Sequence, residues 1–339
     1  MRRFGHLFPS ITCYQNLIRA SKKAQRGKCH RPEVAEFCFS REKHCLQLQN
    51  ELQNGTYRQT PYRIFKIYEP KERQISIVAF RDRVVHHAIF NIIDPIIERR
   101  FIADTYACRK GKGVHSALKR SQYFSQKFRY VMKNDIRSYF NSVSHDVIKN
   151  LLRRIFKDPE LMELLDMIID YPIPGGQPNK GLPIGNLSSQ YFANMYLGQL
   201  DSYLKGHIGI KGYLRYMDDF LIYSNSKEEL HEIQVVIRGF LKEKLQLTLK
   251  HPEGILIPVQ HGINFLGFRV YPRMIRLQGI KKRNLIQQLK QKSKMLDLGK
   301  ISERDFQSSA AAMLGHIGHC QTKRLCQSWF SQNYQLFSG

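Results

Sequence analysis

The chain has 339 residues, 42% of them hydrophobic and 11% aromatic, and its 54 Lys and Arg side chains outnumber 28 Asp and Glu, leaving a formal net charge of +26. This composition argues against intrinsic disorder and predicts a packed protein of one large domain or two to three smaller ones. Positive charge spread along the chain predicts a polyanionic partner, although a basic structural protein would share this charge.

The first third of the chain contains three kinds of predicted element. Residues 1–60 are basic and helical in pattern and are expected to form an N-terminal extension. In residues 62–78, β-branched and aromatic residues alternate with charges around a turn at 69–72, which predicts a hairpin. Paired apolar residues recur every four positions over residues 84–97 and predict a core helix.

The centre of the chain alternates between strand and helix patterns. A strand is expected at 132–140, then a helix that Ser144 could cap, and then a second helix from Gly185 to Leu200. A hydrophobic segment at 212–223 is interrupted by two adjacent aspartates. A helix at 227–244, strands near 256 and at 263–270, and basic helices from 280 onward complete an α+β fold with an antiparallel sheet.

The adjacent aspartates, Asp218 and Asp219, carry the first indication of chemistry. Two neighbouring carboxylates are costly to bury unless a cation neutralises them, whereas a surface turn would leave them in solvent. Asp135 lies within a second strand-like segment, between residues 130–134 and Ile136, and could meet them at a sheet edge. Oxygen ligands suit Mg²⁺, and two such ions can stabilise both oxygens of an in-line displacement at phosphorus. The pattern therefore predicts nucleotidyl transfer.

Two motifs resemble those of reverse transcriptases. Tyr216-Met217-Asp218-Asp219 resembles the catalytic signature of that family, and Asp135, with Phe140 five residues later, resembles its first catalytic motif. The resemblance implies a right-hand polymerase with fingers, palm and thumb, in which Asp135, Asp218 and Asp219 are catalytic. It further implies that these aspartates and the backbone carbonyl of Ile136 hold two Mg²⁺ ions, for which Mn²⁺ can substitute. Phe140 would reject a ribose 2′-hydroxyl.

Three further segments resemble nucleotide and primer sites of the same family. Residues 73–77 resemble a fingers segment in which Arg73 meets the incoming triphosphate. Residues 106–113 resemble the next fingers motif, with Arg109 and Lys110 as nucleotide-binding residues, although an ordinary basic turn would read similarly. Residues 265–268 resemble the primer grip, or else a core strand with a bulge glycine. The implied primer-grip residues are Phe265, Leu266 and Gly267.

One motif is similar to diversity-generating retroelement enzymes. Most reverse transcriptases carry Gln-Gly and then Ser-Pro in this region, whereas this chain has Ile184-Gly185 and then Ser189-Gln190. Residues 22–28, 52–57 and 84–88 also resemble that group. The resemblance implies nucleotide contacts for Ile184 and Gln190, and copying of a template RNA into cDNA with errors at template adenines, which is mutagenic retrohoming. The open alternatives are a retron, group II intron or antiphage reverse transcriptase, or a non-catalytic RNA-binding protein.

The resemblance also implies a domain plan and partners. The expected boundaries are an extension at 1–60, fingers at 61–130 and 146–182, palm at 131–145 and 183–272, and thumb at 273–339. The expected partners are template RNA, cDNA, dNTPs and a basic, multimeric accessory variability protein. Leu247-Thr248-Leu249 is followed by Lys250 and Glu253, which departs from the family pattern and leaves its proton-donor lysine unassigned.

The cysteines indicate location more than chemistry. Their number, seven, is odd and their spacing irregular, which favours a reducing cytoplasm over a disulfide framework. No apolar run approaches the roughly 18 residues of a membrane span, so no membrane partner is expected. His316, His319, Cys320 and Cys326 match no common zinc spacing and are more plausible as helix polar groups.

Overall fold

The N-terminal helices pack against one long helix of the core. The computed structural model describes residues 3–68 and 72–317. The helices are α1 (Phe8–Thr12), α2 (Tyr14–Ala24), α3 (Pro32–Phe39), α4 (Arg41–Gln53) and α5 (Phe80–Glu98). Leu17 and Ala20 of α2 are fully buried, and the Asn16 side-chain amide donates to the carbonyl of Ala88 at 2.9 Å. The helical patterns read from the first 60 residues and from 84–97 are therefore confirmed.

A two-stranded hairpin follows the extension. Strands β1 (Arg63–Ile67) and β2 (Arg73–Ile77) are antiparallel, as predicted, and part of the predicted turn, residues 69–71, lies outside the described residues. On its other edge, β2 is hydrogen-bonded to residues 184–186, which precede the helix that begins at Leu187. There the amide of Ser76 donates to the carbonyl of Ile184 at 2.9 Å, and the amide of Val78 donates to the Asn186 side chain at 3.1 Å.

The central sheet is antiparallel and carries the two acidic segments. Its strands are β3 (Tyr130–Asp135), β4 (Gly212–Tyr216), β5 (Asp219–Ser224) and β6 (Ile255–Pro258), in the order β4-β5-β3-β6. Helices α10 (Leu187–Ser202) and α11 (Lys227–Leu245) pack with the sheet in the main hydrophobic core. The sheet thus brings the end of β3 beside the hairpin formed by β4 and β5.

The strand predicted at 132–140 is shorter than expected. It ends at Asp135, because Ser138 takes a left-handed conformation with φ of 48° and the chain enters the short helix α7 (Tyr139–Ser142). The predicted helix after Ser144 is α8 (His145–Ile155), but the Ser144 side chain makes no capping hydrogen bond.

The remaining elements lie outside the central sheet. Sequence patterns did not predict α6 (Val114–Lys127), α9 (Pro159–Asp170) or the last strand of a separate sheet. That sheet has strands β7 (Ile263–Phe265), β8 (Phe268–Val270) and β9 (Ile275–Leu277), followed by the helices α12 (Gly279–Asp297) and α13 (Glu303–Ile317). The described residues also form a π-helical turn (Tyr203–His207) and a 3₁₀ turn (Val259–His261). Among the described residues, no helix is long and apolar enough to cross a membrane. His319, Cys320 and Cys326 lie outside the described residues.

Candidate active site

The three aspartates lie at one end of the central sheet. Asp135 is the last residue of β3 and is paired directly with Asp219, the first residue of the neighbouring β5. Directly opposed residues in an antiparallel pair have Cβ atoms about 4.5–5.5 Å apart. Asp218 occupies the two-residue turn between β4 and β5, which the Tyr216–Asp219 pair closes. Segments far apart in sequence therefore meet in register.

Burial and mutual repulsion disfavour the ionised carboxylates. Burial is the main cause that raises the pKa of Asp219 to about 6, and Asp135 and Asp218 add to the rise. The Lys133 ammonium, 3.3 Å from an Asp219 oxygen, opposes it. Burial likewise raises the pKa of Asp218, while Arg73 and Arg215 act in the opposite direction. A cation bound at this site would favour the ionised form of the carboxylates.

The donor set fits divalent ions. One oxygen of Asp219, Oδ1, is buried and has no hydrogen-bond partner, as expected of an oxygen that a metal ion would engage. Mg²⁺ is usually held by one or two carboxylates together with substrate phosphates and water. Within the described part of the chain, no group of three or more His, Cys, Asp or Glu side chains could hold a metal ion, so substrate phosphates and water would have to supply the remaining ligands here. The Ile136 backbone, next to Asp135, is bridged to Leu249.

Of the predicted nucleotide-side residues, Arg73 acts on the aspartates through its charge, and Phe140 and Ile184 have other neighbours. Arg73 is exposed on β2 and close enough to influence the charge of Asp218. Phe140 is half-buried against the edge of the Tyr139 ring, with centroids 5.9 Å apart. Ile184 is half-buried and lines a polar cleft of about 490 Å³ together with Gln74, Ser76 and Asn141.

The family model described as reverse transcriptase (RNA-dependent DNA polymerase) matches residues 66–270, more than half of the chain. The chain belongs to the reverse transcriptase family. Its class of activity is RNA-directed DNA polymerisation, and the matched region includes all three aspartates.

Curated relatives of this reverse transcriptase include intron-encoded proteins. It is 28% identical to protein YkfC of Escherichia coli, with 68% of this chain and 71% of YkfC covered. It is 25% identical to the group II intron-encoded protein LtrA of Lactococcus lactis, with 80% of this chain covered. The chain spans 57% of LtrA, little more than half of that relative.

Solved structures support the right-hand polymerase fold. Apo telomerase from Candida tropicalis superposes with a TM-score of 0.50 at 13% identity, covering 76% of this chain and 57% of the telomerase. At this identity the likeness concerns the fold alone. The predicted fold class agrees with it, whereas the boundaries between fingers, palm and thumb stay predictions.

The remaining three predicted nucleotide-binding residues are Arg109, Lys110 and Gln190. The Arg109 side chain is only 7% exposed and forms an ion pair with Glu98 at 2.7 Å. It also donates to the carbonyls of Ile102 and Thr105 at 2.6 and 2.8 Å, so its guanidinium is committed to local structure. Lys110 is exposed next to it. Gln190, at the start of α10, is exposed, and its side-chain oxygen accepts from the Cys108 thiol at 3.5 Å.

The predicted primer-grip residues form the tight turn between β7 and β8. Leu266 and Gly267 have φ of 51° and 83°, so Gly267 belongs to the turn and not to a bulge. Phe265 and Phe268 are buried in a second hydrophobic cluster. The Lys133 ammonium donates to the carbonyl of Asn264 at 2.8 Å, which connects this hairpin to the aspartates of the reverse transcriptase.

Sequence reasoning missed Lys133 and Arg215 at the site and left Lys250 without a role. Lys133 contacts Asp219, and the Lys250 ammonium lies 3.5 Å from an Asp135 oxygen. Glu253, by contrast, pairs with Arg238. Arg215 is fully buried behind the catalytic turn. The sequence could have indicated Lys133, because side chains two residues apart on a strand point to the same face, and Lys133 precedes Asp135 by two residues. Lys250 and Arg215 gave no comparable local signal.

The raised pKa of Asp219 predicts an unusual pH dependence of stability without metal. Between about pH 4 and pH 6 the Asp219 carboxyl of the folded chain retains a proton that the unfolded chain has lost, so the contribution of Asp219 to the free energy of unfolding should fall as pH rises through that window. Burial lowers the pKa of His86 to about 3 and that of His87 to about 4, which acts in the opposite direction, so the contribution of Asp219 is read as the difference between wild type and an Asp219 variant. In EDTA this difference should decrease by on the order of 2 kcal/mol across the window. Above pH 6, Mg²⁺ should restore stability by binding the ionised site. Urea denaturation at pH 4.5, 6 and 8 measures both effects.

The matched variant for this prediction is Asp219→Asn, which cannot ionise. Between pH 4 and 6 its free energy of unfolding should rise more steeply with pH than that of the wild type, because the opposing contribution of Asp219 is gone, and its stabilisation by Mg²⁺ should be smaller. If the variant shows the same slope as the wild type in EDTA, another group is responsible for the dependence.

Proposed function

We propose that this chain copies RNA into DNA with Asp135, Asp218 and Asp219 as the catalytic carboxylates. The observation that carries the proposal is the register of β3 against β5, which sets Asp135 opposite Asp219 with Asp218 in the adjoining turn. Mg²⁺ bound there would activate the primer 3′-oxygen and stabilise the leaving pyrophosphate. Lys133 and Lys250 partly neutralise the carboxylates and keep them oriented.

The nucleotide would be gripped from the side of the β1–β2 hairpin. Arg73 is exposed, and its charge acts on Asp218, so a triphosphate held by Arg73 would also reach the aspartates. Phe140, at the start of the short helix after β3, is the candidate for excluding a ribose 2′-hydroxyl. Basic helix α12 would hold the duplex through its phosphates, giving salt-sensitive binding without sequence preference.

Primer extension tests this function directly. The purified chain, an RNA template with an annealed DNA primer, dNTPs and Mg²⁺ should yield full-length cDNA. EDTA should stop synthesis, Mn²⁺ should support it, and ribonucleotides should be poor substrates. Tight RNA binding without any extension in Mg²⁺ or Mn²⁺ would favour the second candidate, a non-catalytic RNA-binding protein, which the net charge of +26 alone would permit.

A finer proposal concerns the template and fidelity. We propose that the chain is an error-prone enzyme of a diversity-generating retroelement, working on a structured template RNA with a basic, multimeric accessory variability protein. Support comes from the apolar Ile184 in place of the usual glutamine and from Ser189-Gln190. The relatives named above favour the alternative of a group II intron-like enzyme. Sequencing the cDNA separates the two: errors concentrated at template adenines support the retroelement, and uniform errors support the alternative.

Ile184→Gln should change fidelity more than speed. An apolar side chain cannot make the polar contacts of a glutamine amide, so correct and incorrect nucleotides would differ less in transition-state binding. We expect the variant to lower the error frequency at template adenines several-fold, with little change at other bases, by sequencing of cDNA. Ile173→Gln is the matched control, because Ile173 is half-buried and lines the same cleft. An unchanged adenine error frequency in Ile184→Gln contradicts the idea.

A further inference from the structure

Arg215 is the largest fully buried side chain of the described residues, and every one of its N–H donors is used. Its Nε and Nη2 bind the two oxygens of Asp201 at 2.7 and 2.6 Å. The remaining donors reach the Asn194 side-chain oxygen at 3.0 Å, the Asn194 carbonyl at 3.0 Å and the Met217 carbonyl at 2.8 Å. Because all five N–H donors are hydrogen-bonded, the orientation of the guanidinium is fixed.

The partners of Arg215 belong to separate parts of the fold. Asp201 and Asn194 lie on α10, whose first turn follows the segment bound to β2. Asp201 also accepts from the Thr105 hydroxyl at 2.7 Å and from the Tyr213 hydroxyl at 2.6 Å. Residues 104–106 pair in turn with the Arg215 backbone. The network therefore joins α10, the strand β4 and the 104–106 segment at one point.

The Met217 carbonyl is where this network reaches the catalytic turn. Met217 has φ of 56°, a conformation that favours glycine at the first central position of such a hairpin turn. A residue other than glycine keeps this backbone conformation only when the surrounding structure holds it in place. The peptide plane between Met217 and Asp218 includes this carbonyl, so its orientation sets the direction in which the Asp218 side chain leaves the backbone.

Fold stability alone does not explain a buried ion pair at this position. Apolar residues of similar volume often replace such pairs without loss of stability, because two charges must be removed from water. We infer that Arg215, oriented by Asp201, is a positioning residue that holds the Met217–Asp218 peptide so that Asp218 can bind metal. This inference rests on the proposed function of the aspartates and deepens it.

Arg215→Lys is the sharpest test. Lysine keeps the charge opposite Asp201, so the chain should fold, but the three donors on its single nitrogen cannot replace the five bonds that Arg215 makes from three separate nitrogens. In primer extension we expect kcat to fall at least tenfold and the half-saturating Mg²⁺ concentration to rise several-fold. The KM for the RNA–primer duplex should not change. Circular dichroism and melting temperature check the fold.

The double variant Arg215→Met with Asp201→Asn removes both charges and tests the same contact without leaving an unpaired buried ion. It should show the same loss of kcat and the same raised Mg²⁺ requirement. Arg120→Lys is the matched control. Arg120 makes a bidentate pair with Asp104 at 2.8 and 3.1 Å near the same segment, and in the described part of the chain it has no hydrogen bond to Met217 or Asp218.

Mn²⁺ affinity, measured by electron paramagnetic resonance without substrate, provides a readout separate from turnover. If wild type binds Mn²⁺ but does not polymerise, the proposed function fails, while weaker Mn²⁺ binding by Arg215→Lys still supports the positioning role. Folded Arg215→Lys with wild-type kcat, Mg²⁺ requirement and Mn²⁺ affinity overturns the inference. Should the double variant fail to fold, Arg215→Lys alone decides.

Discussion

Replacing Asp218 and Asp219 together with alanine should reduce DNA synthesis by about 10³-fold or more, while RNA binding remains. Metal ions at such a site supply several kcal/mol of charge stabilisation to the transition state. Each loss of about 1.4 kcal/mol costs a factor of ten in rate. Binding should persist because it depends on basic side chains spread over the chain, whose net charge is +26. Single-turnover primer extension and a filter-binding assay measure the two properties.

The controls for this double variant separate chemistry from folding. Asp135→Asn should lose activity to a similar extent, because Asp135 pairs with Asp219 in the register of β3 and β5. Asp146→Ala should be fully active, since Asp146 is exposed in the first turn of α8. Activity above one tenth of wild type in the Asp218→Ala, Asp219→Ala protein would show that polymerisation does not depend on these carboxylates.

The sequence predicted the catalytic turn because its signal is local. Residues of strong strand propensity on both sides of Asp218 and Asp219 indicate a hairpin, and burying two adjacent acids costs free energy unless a cation neutralises them. The helix at 84–97 was equally clear, because its apolar period extends over four turns. Local patterns of this kind do not depend on what the rest of the chain does.

Features set by distant pairing could not be read in the same way. The pairing of Asp135 with Asp219 requires β3 to lie between β5 and β6, an order that no local pattern contains. The ion pair of Arg109 depends on Glu98 at the end of a different element, so no local pattern in residues 106–113 indicates it. Arg215 has an ordinary position in a strand, and only the approach of α10 reveals its partners.

Gly185→Ala should damage nucleotide handling more than any other single glycine change near the cleft. Gly185 has φ of 116°, which L residues rarely adopt, and an added Cβ would lie 2.8 Å from a methyl carbon of Ile75 and 3.2 Å from one of Ile77. Both isoleucines belong to β2, the strand that carries Arg73. The methyl group must therefore separate the 184–186 segment from β2 or shift both. We expect kcat/KM for dNTPs to fall about 10²-fold, since misplacement by 1 Å can cost that much.

Two glycines offer controls that isolate the clash from the backbone conformation. Gly175 lines the same cleft with φ of 75° but has nothing within 4 Å of an added Cβ, so Gly175→Ala reports the conformational cost alone. Gly239 has neither a positive φ nor a neighbour within 4 Å, and Gly239→Ala in helix α11 should be neutral or slightly stabilising. If Gly175→Ala lowers kcat/KM as much as Gly185→Ala, backbone strain explains the loss. A large loss confined to Gly185→Ala instead means that close packing of the 184–186 segment on β2 holds Arg73 and Ile184 in place.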